Sequence, residues 1–68
     1  TTAVLNAANE VAVQAFLDGD IRFDQIHAVN METLSRVAPS KPMSLEDLLA
    51  IDAQSRAAAW QFVSTLHG

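Results

Sequence analysis

Leu5-Asn6-Ala7-Ala8-Asn9-Glu10-Val11-Ala12-Val13-Gln14-Ala15-Phe16-Leu17 runs directly into Asp18-Gly19-Asp20. Small and apolar residues occupy nearly every side of a helix drawn through this stretch. Only Asn6, Glu10 and Gln14, four apart, make a narrow polar stripe, with Asn9 beside it. This pattern predicts a helix mostly enclosed by other elements, in the middle of the core. Either Thr1 or Thr2 can cap its first free N–H groups. Gly19 can take the left-handed conformation that ends helices, and Asp18 and Asp20 are poor helix-interior residues. The first helix is therefore expected over about residues 2 to 18.

The rest of the chain punctuates itself clearly. Ile21 and Phe23, two apart, predict a short extended link pinned against the core. Asp24 and Gln25 suit the first turn of a second helix, where negative charge meets the positive end of the helix dipole. Ile26, Val29, Leu34 and Val37 fall near one face, with Ala28 and Met31 adjoining. Asn30, Glu32, Thr33, Ser35 and Arg36 cover most of the rest, so an amphipathic outer helix is expected over about 24 to 37.

Both prolines, Pro39 and Pro42, fall in Ala38-Pro39-Ser40-Lys41-Pro42-Met43, and proline removes a backbone donor and restricts its predecessor, so a loop is expected there. Ser44 followed by Leu45-Glu46-Asp47 is a strong helix start, with a serine cap and two carboxylates in the first turn. No Gly or Pro follows until Gly68, predicting a third helix over about 45 to 66, roughly 33 Å long at 1.5 Å per residue. Leu48, Leu49, Ile51, Ala59, Trp60, Phe62, Val63 and Leu66 are its expected apolar contacts. Asp52, Gln54, Ser55 and Arg56 separate two clusters, and Asp52 and Arg56 have the favourable order for an ion pair four apart. The fold class is thus all-α, a small bundle of three helices in one domain, 1 to 68.

Composition narrows function by exclusion. Sixty-eight residues bury a smaller fraction of their surface than a larger chain does, so a deep cleft is not expected. With no cysteine, the chain has no disulfide and no cysteine-based zinc site. A net charge of -4 repels nucleic-acid phosphates. No apolar run approaches the roughly 20 residues of a membrane helix, and no signal peptide opens the chain. Neither nucleic acid nor membrane is expected as a partner, and a cytosolic or equivalent compartment is.

Candidate site residues mostly read as structure. His27 and His67 are too far apart to suggest a site. Asp18-Gly19-Asp20 with Asp24 resembles a calcium loop only in outline, since Arg22 stands where an oxygen ligand belongs and the terminal glutamate is missing. Ser44 lacks the preceding aspartate of an acyl-carrier serine and reads as a cap. Asp52 reads as an ion-pair partner before a catalytic acid, and one of Trp60 and Phe62 is left to face a partner. Asn6, Asn9 and Glu10 are the hardest to dismiss, and a structural polar network bonded to neighbouring backbone is favoured over ligand contact. No residue of this chain is therefore expected to act in catalysis, cofactor binding or metal ligation.

Leu5-Asn6-Ala7-Ala8-Asn9-Glu10-Val11-Ala12-Val13, then Phe16-Leu17, then Ile21-Arg22-Phe23 with Ile26, resembles the C-terminal helical domain of the 1-deoxy-D-xylulose 5-phosphate reductoisomerases. Ser44-Leu45-Glu46-Asp47-Leu48-Leu49, with Asp52-Ala53 and Arg56, resembles the last helix of that family. The resemblance implies a parent oxidoreductase of the non-mevalonate isoprenoid pathway. That enzyme is a homodimer using NADPH and a divalent metal (Mg, Mn or Co), in the bacterial cytoplasm or plastid stroma. Its nucleotide fingerprint, metal carboxylates and substrate-phosphate ligands belong to earlier domains, so no catalytic residue carries over and this chain alone is expected to be inactive. The family's bundle also has a helix before the Leu5–Glu10 motif, so the chain resembles three helices of four, as in a fragment. Remaining parent domains and self-association of the fragment are the expected partners. The alternative is a free-standing acidic helical module for protein–protein interaction.

Overall fold

A computed structural model describes residues 2–37 and 42–67, without the side chains of Thr2 and His67. It contains α1 (Thr2–Leu17), α2 (Gln25–Arg36) and α3 (Leu45–His67), and no strand among the described residues. Each helix packs against both others. The expected cap at Thr1 and most of the expected loop, residues 38–41, lie outside the described residues.

The turns are made by local chemistry. α1 stops at Leu17, Gly19 has φ +81°, and Asp20 N–H donates to the Ala15 carbonyl (2.8 Å) while Gly19 N–H donates to the Phe16 carbonyl (3.0 Å). That pair of bonds is a Schellman cap, which satisfies carbonyls the helix end leaves free. α2 opens after Asp24, whose side chain makes no cap bond; Gln25 Oε1 instead accepts the Arg22 N–H at 2.8 Å. At α3, Asp47 N–H donates to Ser44 Oγ (3.2 Å), and Asp47 Oδ2 accepts from the Met43 N–H (3.0 Å). The box therefore closes one residue earlier than the usual serine-to-acid exchange.

The core is built from small side chains. Ala8, Val11, Ala12 and Ala15 of α1 meet Ile21, Val29 of α2, and Ala59 and Val63 of α3, with Ile26, Phe62 and Leu66 packed at the rim. Alanines let helix axes approach closely, and close-packed interiors leave few gaps where they do.

Four expectations about faces are corrected. α1 is not enclosed nearly all round: its buried face is Val4, Ala7, Ala8, Val11, Ala12 and Ala15, and Leu5, Val13, Phe16 and Leu17 are exposed. Thr33, placed on the polar side of α2, and Ser55, one of the polar residues read as separating the apolar clusters of α3, are fully buried. Each hydroxyl donates at 2.7 Å to the carbonyl four residues back, Val29 and Ile51 respectively, so it enters the core already satisfied. Of the link residues only Ile21 is pinned; Phe23 is 74% exposed, its ring edge-on to Phe16 with centroids 5.7 Å apart.

The fourth correction concerns α3. Leu48 and Leu49 were expected in the core but are 39% and 59% exposed, and Leu45 is 70% exposed. The 23 residues of α3 measure about 34 Å at 1.5 Å each, against about 24 Å for α1 and about 18 Å for α2. Neither neighbour covers it end to end. The buried positions of α3, Ser55, Ala59 and Val63, run from its middle towards its C-terminal end.

Candidate functional site

Asn9 and Glu10 sit on the exposed side of α1, and a shallow open depression beside them is also lined by Val13, Gln14 and Arg56. The two residues reach different neighbours. Asn9 Oδ1 accepts from Asn30 Nδ2 on α2 at 3.4 Å, a long bond. Glu10 accepts from Arg56 of α3 in a close ion pair. Their partners are side chains on the other two helices, and not the backbone that was expected. Asn6 is exposed.

Arg56 is the hub of this face. Its Nε donates to Asp52 Oδ2 at 2.8 Å, the pair visible in the sequence, and its other end meets Glu10. The hydrogen bond to Asp52, followed by that to Glu10, raises the guanidinium above its ordinary pKa. Asp52 is thus an ion-pair partner. Asn30 Oδ1 is buried without a hydrogen-bond partner among the described residues.

The other candidates disperse. Asp18 Oδ1 accepts from Gln14 Nε2 at 3.0 Å and Asp24 pairs with Arg22 at 3.3 Å, so the aspartates of the turn face different partners. No group of three His, Asp or Glu residues among those described is placed to hold a metal. His27 is exposed and Ser44 is a helix cap. Trp60 lies exposed, whereas Phe62 is half-buried with the Arg36 guanidinium carbon 5.5 Å from its ring centroid. No described helix is long and apolar enough to cross a membrane. The inter-helix partners Asn30 and Arg56 escaped sequence reasoning, since nothing local relates Arg56 to a carboxylate 46 positions earlier.

Three mutually packed helices with polar side chains spent on bridges between them define a helical bundle domain. The sequence matches the family model described as the DXP reductoisomerase C-terminal domain over residues 1–58, and the chain belongs to that family. It is 48% identical over 65 residues to 1-deoxy-D-xylulose 5-phosphate reductoisomerase of Shewanella sediminis, covering 96% of this chain and 16% of that protein. The enzyme of the same name from Shewanella baltica strain OS223 is 53% identical over 66 residues, with the same coverage of each. That of Tolumonas auensis is 49% identical over 65 residues, again 96% of this chain and 16% of the relative. The chain spans about one-sixth of the length of these relatives.

Proposed function

We propose that this chain is the non-catalytic C-terminal structural domain of a 1-deoxy-D-xylulose 5-phosphate reductoisomerase. The parent is the NADPH- and divalent-metal-dependent enzyme that makes 2-C-methyl-D-erythritol 4-phosphate on the non-mevalonate route to isoprenoids, in the bacterial cytoplasm or plastid stroma. Residues 1 to 68 then act as one domain supporting the catalytic domain and the hinge beside it, within a homodimeric parent. The observation that carries this reading is the alignment of 96% of the chain with only 16% of relatives bearing that enzyme's name. Supporting it, Asn9 and Glu10 are engaged in bridges to the other two helices, and Asp52 holds Arg56, the partner of Glu10, on α3.

The test compares the isolated chain with a complete enzyme carrying it. With 1-deoxy-D-xylulose 5-phosphate, NADPH and manganese, the complete enzyme turns over and the chain alone does not. Turnover by the chain alone overturns the non-catalytic assignment. Deleting these residues from the complete enzyme lowers its thermal stability and activity, and an unchanged enzyme overturns the supporting role.

The bare leucines of α3 favour a further statement about the isolated chain, that it self-associates. Burial of about 400 Å² is worth about 10 kcal/mol gross at about 25 cal/mol per Å², and the entropy of association offsets much of it. Sedimentation at low micromolar concentration is expected to show a species heavier than 7.3 kDa. A compact, stably folded monomer refutes this.

A further inference from the structure

We draw no further inference here: the strongest candidate, the uncovered apolar patch of Leu45, Leu48 and Leu49 on the first turns of α3, belongs to the contacts already proposed for this chain, and nothing in the structure shows what covers it.

Discussion

The Arg56 guanidinium on α3 bridges the Glu10 carboxylate on α1 and the Asp52 carboxylate one turn back on its own helix. One cation therefore ties the first helix to the third in a single register. A group whose folded pKa is raised contributes stability that is fully present below its unfolded value and lost as pH rises through its folded value. For arginine that loss lies far above neutrality, so Arg56 adds no pH dependence near neutral pH. Arg56→Met and Glu10→Gln should each lower the denaturation midpoint, and the double variant should lose less than the sum. The deficit of Arg56→Met should stay constant from about pH 7 to about pH 9 and shrink in high salt, because the bridge is half-exposed. Strictly additive losses in urea titrations would show that the bridge does not couple the helices.

Gly19 is required for its backbone conformation and not for space. A Cβ added there meets nothing within 4 Å, but φ is +81°. Gly19→Ala should cost about 1–2 kcal/mol through left-handed strain, and Gly19→Asn should cost less because asparagine tolerates that region. Equal midpoints for the alanine variant and the parent sequence would mean that the cap re-forms without a left-handed residue.

Thr33 and Val29 are both fully buried on α2, yet their substitutions should differ. The Thr33 hydroxyl bonds a carbonyl of its own helix, so Thr33→Val removes a donor without stranding a partner and should stay within about 1 kcal/mol. Val29→Ala removes buried methyl groups and leaves a cavity, costing about 2 kcal/mol. Calorimetry giving Thr33→Val the larger loss would reverse the assignment of what holds α2 in place.

Ala12 is fully buried in the central cluster. Ala12→Leu should force neighbouring side chains out of their rotamers and cost about 1–3 kcal/mol, although leucine is the more hydrophobic residue. Unchanged or increased stability, measured by thermal unfolding, would show spare room beside α1.

Leu49 offers a test of support for the parent. It is more than half exposed in the single chain, so Leu49→Asp should shift the stability of the isolated chain by no more than about 0.5 kcal/mol at concentrations low enough to keep it monomeric. On the proposed supporting role, the same change in a complete reductoisomerase should lower the unfolding temperature by several degrees, because it would place a carboxylate in an apolar contact. Identical shifts in both settings would remove this face from contact with the rest of the enzyme.

Much that is governed by neighbours three or four residues away was legible in the sequence: three helices, a stop at Gly19, a start at Ser44 and the Asp52–Arg56 pair. Helix geometry links such residues whatever surrounds them. The faces were decided elsewhere. A periodicity reading sorts Thr33 and Ser55 with the polar residues, and only the packed bundle shows their hydroxyls turned back onto the helix and buried. Likewise, leucine is hydrophobic at positions 45, 48 and 49 in any context, but burial requires a neighbour, and α1 and α2 are too short to supply one along all of α3. The contacts of Asn9 and Glu10 with Asn30 and Arg56 depend on how the three helices come together, a relation with no local signature in the chain.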